Sequence, residues 1–392
     1  MTKLRIGIVG TGFIARTHVD AFRRASILFS DLGVDPVIEI VADATIEAAR
    51  AFADRMSIPY ATGDWHSVAE YPGLDLIAIA APNNLHFPIA IAAIAAGKAV
   101  YCEKPMALTS AQAAQMAAAA SARGVQTFVA FNNLFAPSTQ VAKSLVDRGD
   151  IGEPLQFFGN FDQGFYSDPD LPASWRTREG EAGSGALGDL GSHIVSIAQH
   201  LVGPIGSVAA LDAIVFRDRP KPGSGMGYAA KPLENGPREA VQNDDLMQAL
   251  IQFERGTLGM IGASRVTAGR VFGINWELRG TKGTLYVENE RANELHAFRM
   301  SDKQDDRGFK TILCGSQVEG FRDGFFGFDY GGGGIGYFDV KLLEVRGMLA
   351  AFGKPDRWFC DFAFGSENQA IVDAIQESAR RGGQMLKLAG EP

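Results

Sequence analysis

The first third of the chain alternates short apolar runs with longer segments in which apolar residues recur at helical spacing. The short runs have the length of buried strands, and the longer segments have the length of helices. This alternation predicts a parallel, doubly wound sheet with its ligand site at the carboxyl ends of the strands. The predicted strands are LRIGIVG, VIEIVAD, LDLIAIA, KAVYCEKP and VQTFVAF, and the predicted helices are residues 14–22, ATIEAARAFA, FPIAIAAIAAG and SAQAAQMAAAASARG.

After Asn132 the pattern changes to an amphipathic helix, PSTQVAKSLVDRG, followed by runs in which apolar and polar residues alternate. Alternation with period two is typical of half-buried strands, and consecutive strands with few helices indicate a mostly antiparallel sheet. We therefore predict a Rossmann domain over residues 1–131 and an α+β domain over residues 132–392. The predicted strands are PLQFFGNFD, SVAALDAIVF, LMQALIQF, TLGMIGASRV, VFGINWELRG and GTLYVEN, the middle two joined by a hairpin turn with Gly256 placed for positive φ.

Two long stretches have no clear period, residues 217–245, which are rich in Pro and Gly, and residues 305–336, which are rich in Gly and Phe. Loops of this length are usually functional covers or disordered, and the role of both stretches stays open. The phenylalanines favour a packed cover for the second. Four consecutive glycines suggest that segment 330–337 borders the active site, with Tyr337 near the substrate, and a flexible linker is the alternative.

Composition narrows the class of protein. Of the 392 residues, 46% are hydrophobic and 21% are charged, as in an ordinary globular protein. A net charge of -8 without a Lys/Arg cluster argues against nucleic acid or an anionic membrane as partner. Three cysteines far apart in sequence indicate neither a disulfide framework nor a metal site. Since no apolar run approaches the roughly 18 residues of a membrane span, we expect a reduced, soluble, cytoplasmic protein.

The first strand is followed by GxGxxA, formed by Gly10, Gly12 and Ala15. Between a strand and a helix this pattern is the dinucleotide-binding fingerprint. The first glycine permits the tight turn, and the second lets pyrophosphate approach the backbone. The start of the following helix, with Phe13 and Ile14, is then predicted to hold the phosphates.

Asp43 ends the second predicted strand, where an acid accepts hydrogen bonds from both ribose hydroxyls of NAD. Its distance from the glycines exceeds the usual spacing of about 20 residues, and we interpret SILFSDLGVDP as an inserted loop. The alternative is that Asp43 caps the next helix. NADP would require a nearby arginine, and the first one, Arg50, comes seven positions later, so NAD is favoured over NADP.

Two further segments, APNNLH and CEKP, follow predicted strands and are expected near the cofactor. Pro105 restrains the preceding Lys104 to an extended backbone. A surface Glu–Lys pair is the alternative for the second segment. The cofactor-binding candidates added here are Ala81, Pro82, Asn83, His86, Glu103 and Lys104.

The segment GALGDLGSHIV places Asp189 and His193 one helical turn apart. Its three glycines are unexpected, because each glycine inside a helix costs about 1 kcal/mol relative to alanine. A helix over residues 189–202 would carry Asp189, His193, Ser196 and His200 on one side. A solvated polar face is the alternative, but that side carries no Lys, Glu or Arg. Upstream, Trp175 and Arg176 form a pair suited to holding a polar ring.

Together these segments resemble the glucose–fructose oxidoreductase / inositol dehydrogenase / rhizopine-catabolism family (Gfo/Idh/MocA). The resemblance runs nearly end to end and depends most on EKP and GALGDLGSH, with GTKGTLYVE and IVDAIQESARRGG in support. It implies that the first domain binds NAD(P) and that the second is an open-faced sheet that forms the substrate site. It also implies pairing of subunits through the outer face of that sheet, giving a homodimer or homotetramer.

The resemblance implies oxidation of a secondary alcohol of a sugar or cyclic polyol, or the reverse reduction. Lys104 would bind the reacting oxygen and relay protons, Asp189 would orient the substrate hydroxyl and the lysine, and His193 would be the general acid/base. These residue types suit hydride transfer, which leaves the protein one proton to remove and one alkoxide to stabilise. The full set of substrate-binding candidates is Lys104, Asn133, Trp175, Arg176, Asp189, His193 and Tyr337.

Some positions depart from the family pattern. Leu134 stands where an arginine is frequent, Ser196 where an acid often follows the histidine, and GSGALGD replaces the commoner GGGALxD. The specific substrate, the carbon oxidised and the direction therefore stay open. Two alternative functions are an NAD-using glycosidase that acts by transient oxidation and a non-catalytic dinucleotide-binding sensor. A sensor would be free to lose Lys104, Asp189 and His193, and all three are present.

Overall fold

The computed structural model describes residues 1–224, 230–318 and 335–388. The chain divides into two compact units, the first comprising Met1–Phe135 and Gly336–Gln369, and the second comprising Ala136–Ile335 and Ala370–Pro392. The predicted contiguous division after residue 131 thus differs from the observed one, because 336–369 returns to the first unit. A helix in this segment packs on the helix that follows the glycine turn.

Polar side chains cap the start of several helices. Thr109 caps α5 by accepting a hydrogen bond from the N–H of Gln112, and Gly124 ends that helix in the left-handed region, with φ of 66°. The helices of the described residues are α1 (Phe13–Leu28), α2 (Ile46–Arg55), α3 (Trp65–Glu70), α4 (Asn83–Ala95), α5 (Ser110–Arg123), α6 (Pro137–Asp147), α7 (Glu179–Ala182), α8 (Ser192–Val202), α9 (Tyr337–Ala351) and α10 (Phe362–Arg380).

The strands of the described residues fall into one sheet per unit and two short ribbons. In order they are β1 (Thr2–Val9), β2 (Val34–Ala42), β3 (Tyr60–Thr62), β4 (Leu76–Ile79), β5 (Ala99–Cys102), β6 (Thr127–Val129), β7 (Pro154–Asp162), β8 (Ile205–Ala213), β9 (Asp218–Pro220), β10 (Pro222–Ser224), β11 (Lys231–Pro232), β12 (Arg238–Ala240), β13 (Leu246–Phe253), β14 (Leu258–Ser264), β15 (Gly273–Gly280), β16 (Gly283–Glu288), β17 (Glu294–Arg299), β18 (Lys310–Leu313) and β19 (Leu386–Lys387).

The first unit is built on a parallel sheet with the strand order β3-β2-β1-β4-β5-β6. This is the order of a doubly wound dinucleotide-binding fold, and the prediction of a Rossmann domain is confirmed. Its central strands are apolar on both faces, and Ile6, Ile8 and Ile77 have no exposed surface. The carboxyl ends of β1 and β4 lie side by side at the point where the strand order reverses, which is the usual position of a ligand.

In the described residues, the second unit contains a nine-stranded sheet with the order β18-β17-β16-β15-β7-β14-β13-β8-β19. Only the β7–β14 pair among these strands is parallel, so the predicted mostly antiparallel sheet is confirmed. One face is buried, as β13 shows: Met247 and Ile251 are buried, whereas Gln248 and Leu250 are exposed. The predicted hairpin turn is also present, with Gly256 at φ of 88° between β13 and β14.

One prediction about a loop was wrong. No inserted loop separates α1 from β2, because α1 continues to Leu28 and β2 already begins at Val34. The described part of 217–245 is ordered into ribbons, in which β9 pairs with β12 and β10 pairs with β11. In the second stretch, β18 pairs with β17 at the sheet edge, and residues 319–334 lie outside the described residues.

Among the described residues, no helix combines the length and apolarity that crossing a membrane requires.

Candidate functional site

The glycine turn after β1 has the geometry that the fingerprint predicts. Gly10 has φ of 107°, and a Cβ atom there would lie 2.3 Å from the carbonyl oxygen of Ala80. Gly12 occupies the N-cap of α1, where it offers no side chain to the first N–H groups, and the first turn carries no acid. These N–H groups and the positive end of the helix are therefore available to an anion such as pyrophosphate.

Asp43 follows β2 and is fixed next to this turn. The hydroxyl of Thr11 donates a hydrogen bond to its carboxylate, and the N–H of Ala44 donates another at 2.6 Å. The N-cap of α2 is Thr45, whose side chain accepts from the N–H of Ala48 at 3.2 Å, so the alternative that Asp43 caps α2 is wrong. A carboxylate held at the end of the second strand can accept hydrogen bonds from ribose hydroxyls.

Helix α4 begins at Asn83, so Ala81 and Pro82 precede it and the other four residues of APNNLH form its first turn. His86 is buried, and its two ring nitrogens lie 2.8 Å from the carbonyl oxygen of Pro105 and 2.9 Å from that of Ala81. Burial lowers the pKa of His86, whereas its two carbonyl contacts favour the protonated ring, and the imidazole links the loops that follow β4 and β5. This places His86 beneath the predicted cofactor-binding segments rather than on their surface.

The first residue of EKP takes part in a buried network that the sequence analysis missed. The carboxylate of Glu103 lies 2.9 Å from Nε2 of His18 and 3.0 Å from Nζ of Lys341, and Nζ of Lys341 lies 2.7 Å from Oε2 of Glu344. Because Glu103 is only 6% exposed, it does not form the surface pair that was the alternative. Lys104 follows it, joined to Pro105 by a cis peptide bond.

The network keeps Glu103 charged. Burial alone would raise the pKa of Glu103, but the charge of Lys341 and the hydrogen bond from His18 outweigh it and hold that pKa below its usual range. Burial raises the pKa of Glu344 to about 7 against the opposing charge of Lys341. Glu103 thereby anchors the loop that presents Lys104.

Two further candidates lie in the first unit. Tyr337 is the first residue of α9, and its ring centroid is 5.8 Å from that of Phe13, beside the glycine turn. Residues 330–334 of the predicted segment lie outside the described residues. Asn133 is buried in the short 3-10 turn Asn132–Phe135 after β6, next to the fully buried Leu134.

In the second unit, Asp189 lies in a π-helical turn, Leu187–Gly191, and His193 lies in the first turn of α8. The prediction of a regular helix from Asp189 was wrong in this turn, because i→i+5 hydrogen bonding admits an extra residue. On the predicted polar side, Ser196 is buried and donates to the carbonyl oxygen of His193 at 2.8 Å. His200 is half-buried, and burial lowers its pKa to about 4.

The structure brings together Trp175, Arg176 and Asp189. The guanidinium of Arg176 lies over the Trp175 ring, 4.4 Å from its centroid, and Nε of Arg176 is 3.6 Å from Oδ2 of Asp189. His193 packs edge-on against Phe161, with ring centroids 5.7 Å apart. An aromatic face, a guanidinium and a carboxylate can together bind the ring and hydroxyl groups of a sugar. No group of three or more His, Cys, Asp or Glu side chains in the described ranges could hold a metal ion.

Two family models match successive parts of the chain. Residues 4–131 match the model described as an oxidoreductase family with an NAD-binding Rossmann fold. Residues 139–286 match the model of the GFO/IDH/MocA C-terminal domain.

Individual proteins match over the full length. The levoglucosan dehydrogenase of Pseudarthrobacter phenanthrenivorans is 34% identical over 389 residues, which is 97% of each chain. An NAD binding oxidoreductase from Klebsiella pneumoniae has a TM-score of 0.92 and 45% identity, with 100% of both chains covered. A levoglucosan dehydrogenase in complex with NADH and levoglucosan has a TM-score of 0.91 and 33% identity, covering 99% of this chain and 100% of that one.

Proposed function

The chain belongs to the GFO/IDH/MocA family of oxidoreductases, and from that premise we propose that it oxidises a secondary alcohol of a pyranose or anhydrosugar with NAD. The prediction of a dehydrogenase acting on sugar CH–OH groups is confirmed at the level of the class. The observation that carries the finer proposal is the Trp175–Arg176–Asp189 cluster immediately before His193. The full-length relative that acts on levoglucosan supports the choice of substrate class.

The proposed chemistry uses three residues. A bound nicotinamide would supply the acceptor for the hydride of the carbinol carbon. His193 takes the proton of the substrate hydroxyl as general base, because an imidazole titrates near neutral pH. Lys104 supplies positive charge to the oxygen as its negative charge develops, and Asp189 accepts a hydrogen bond from the substrate and orients it. The carbinol thereby loses a hydride and a proton and becomes a ketone.

A substrate panel tests the proposal. Purified protein with NAD should produce NADH, followed at 340 nm, with levoglucosan or a related pyranose and more slowly with myo-inositol. Product analysis should show the ketone in step with NADH. Release of a free sugar without net NADH would instead indicate the glycosidase alternative, and binding of NAD without turnover of any sugar would indicate a sensor.

We propose NAD as the preferred cofactor, because the Asp43 carboxylate would repel a 2′-phosphate. Replacing Asp43 by alanine should weaken NAD binding by about 10- to 150-fold, since a hydrogen bond to a charged group contributes about 1.5–3 kcal/mol. NADP binding should change less, so the difference in affinity between NAD and NADP should become smaller. Titration of both cofactors by fluorescence checks this, with Asp54→Ala on the exposed face of α2 as the matched control. Tighter binding of NADP than of NAD by the wild type would refute the assignment.

We propose a homodimer or homotetramer formed through the outer face of the nine-stranded sheet. That face exposes large apolar side chains on three adjacent strands: Leu211, Leu250, Leu258 and Met260 are between 45% and 61% exposed. Leu250 and Met260 are directly opposite each other on β13 and β14. A contiguous exposed apolar patch is typical of an interface.

Glutamate at both Leu250 and Met260 should therefore dissociate the oligomer, because burying two carboxylates without partners is costly. Light scattering after gel filtration measures the mass. Ile27→Glu, at a side chain 78% exposed on α1, is the control that should leave the mass unchanged. A wild type that is monomeric at micromolar concentration would contradict the proposal.

Two smaller assignments complete the proposal. We assign Tyr337 to the border of the active site near the substrate, supported by its contact with Phe13 at the glycine turn. The protein works in a reducing compartment such as the cytoplasm, supported by three buried cysteines, Cys102, Cys314 and Cys360, that are all free.

A further inference from the structure

Residues 242–245, Gln-Asn-Asp-Asp, end the stretch to which the sequence analysis gave no role. We call this segment the QNDD segment. It contacts both the turn that carries Trp175 and Arg176 and the glycine-rich segment that leads to Asp189. Asn243 and Asp244 are 4% and 6% exposed, so they act within the protein interior.

Asp244 accepts hydrogen bonds from three consecutive backbone N–H groups that lead into the π-helical turn. Its carboxylate accepts hydrogen bonds from the N–H of Gly185 at 2.6 Å and from that of Leu187 at 2.7 Å. Its carbonyl oxygen accepts from the N–H of Ala186 at 2.9 Å. The N–H of Asp189 then donates to the carbonyl oxygen of Gly185 at 3.0 Å, which connects the held segment to the site residue.

This contact explains one of the three unexpected glycines. A Cβ atom at residue 185 would lie 1.9 Å from the carbonyl oxygen of Asp244, so only glycine fits there. The sequence alone does not reveal that the Asp244 carbonyl lies against this glycine. Gly185 makes room for the QNDD segment.

Asn243 holds the other half of the cluster. The carbonyl oxygen of Arg176 accepts hydrogen bonds from Nδ2 of Asn243 at 2.9 Å and from the guanidinium of Arg265 at 3.2 Å. Arg265 is itself fixed by a buried ion pair, with its Nε 2.8 Å from Oδ1 of Asp245. The backbone of Gln242 adds a bond from its N–H to the carbonyl oxygen of Thr177 at 2.9 Å. Backbone positions on both sides of the Arg176–Asp189 ion pair are therefore set by the QNDD segment.

We propose that Asn243 and Asp244 are positioning residues that hold Arg176 and Asp189 in register for the substrate. The inference depends on the proposed function for its kinetic consequence. A glycine-rich segment has many backbone conformations open to it, and the network restricts it to one before the substrate binds. Neither residue is assigned a contact with substrate or cofactor, so both act through Asp189 and Arg176.

The test is a double-mutant cycle with Asp244→Asn and Asp189→Asn. Asp244→Asn keeps the shape but turns an NH2 group toward one of the N–H donors. It should lower kcat/KM by about 10- to 100-fold, the effect of a misplacement near 1 Å, and leave NAD affinity unchanged. In the Asp189→Asn background the same substitution should have little further effect, since coupled residues are not additive. Asp218→Asn, an exposed aspartate of the same stretch paired with Arg238, is the matched control and should keep wild-type kinetics.

Hydrogen exchange provides a readout that does not need activity. Peptides covering 183–191 should exchange faster in Asp244→Asn than in the wild type and the control. Asn243→Ala is the second variant, for use if Asp244→Asn does not fold. It keeps one donor to the Arg176 carbonyl, from Arg265. Its effect on kcat/KM should likewise disappear in the Asp189→Asn background.

Equal decreases of kcat/KM in the wild-type and Asp189→Asn backgrounds would overturn the inference, because they indicate a general structural effect. Unchanged kinetics in a folded Asp244→Asn would also overturn it. If the wild type turns over no sugar, the proposed function fails by itself, and the exchange measurement decides the inference: unchanged exchange at 183–191 then refutes it, and faster exchange supports it.

Discussion

Alanine at Lys104 or at His193 is expected to lower kcat by about 10²- to 10⁴-fold, the usual contribution of a general acid or base. NAD affinity should stay close to that of the wild type, because the phosphates and the ribose are proposed to be held by the glycine turn and Asp43. Asp189→Asn keeps the shape and loses the charge, so it should also slow turnover. Stopped-flow or steady-state assays at 340 nm, with NAD titrations on the same samples, measure these effects.

Thermal stability must be recorded on those samples, because His193 also packs against Phe161. His193→Phe is the matched control, since it keeps an aromatic ring at this contact and removes the acid–base group. It should be as slow as His193→Ala with a smaller decrease in Tm. A purely structural role for His193 predicts instead that His193→Phe has turnover close to that of the wild type, whereas His193→Ala does not. Unchanged turnover in both Lys104→Ala and His193→Ala would refute the catalytic assignment.

Much of the fold follows from local pattern. The strands predicted as PLQFFGNFD and LMQALIQF coincide with β7 and β13, because a sheet with one buried face imposes alternation on the sequence. The glycine turn was predictable because its chemistry is local: positive φ, a close backbone approach and an uncapped helix start all lie within a few residues. The inserted loop before β2 was wrong because the extra residues lengthened the helix and the strand instead.

The parts of the candidate site that escaped prediction depend on contacts between distant residues. Glu103 and Lys341 are 238 positions apart, and Asp244 bonds to Gly185 across 59 positions. Neither Lys341 nor Asn243 belongs to a motif, so composition and period carry no signal for them. The cluster of glycines before Asp189 did indicate an irregularity, but the partner that requires Gly185 is visible only in the folded chain.

The two glycines of the dinucleotide turn should respond differently to alanine. At Gly10 a Cβ atom meets the Ala80 carbonyl at 2.3 Å and the backbone has positive φ, so strain adds to a backbone clash. Gly10→Ala should cost about 2 kcal/mol or more of folding free energy and abolish NAD binding, because the ends of β1 and β4 must move apart. Chemical denaturation and NAD titration measure both losses.

Gly12→Ala separates binding from folding. The backbone of Gly12, with φ of -71° and ψ of -170°, is open to alanine, and the added Cβ meets no protein atom within 4 Å. Stability without cofactor should therefore stay within about 0.5 kcal/mol of wild type. The methyl group nevertheless occupies the space into which pyrophosphate would approach, and overpacking of about 1–3 kcal/mol corresponds to roughly 5- to 150-fold weaker NAD binding. Wild-type NAD affinity in a folded Gly12→Ala would mean that the phosphates do not pass this turn, and the cofactor assignment would have to be abandoned.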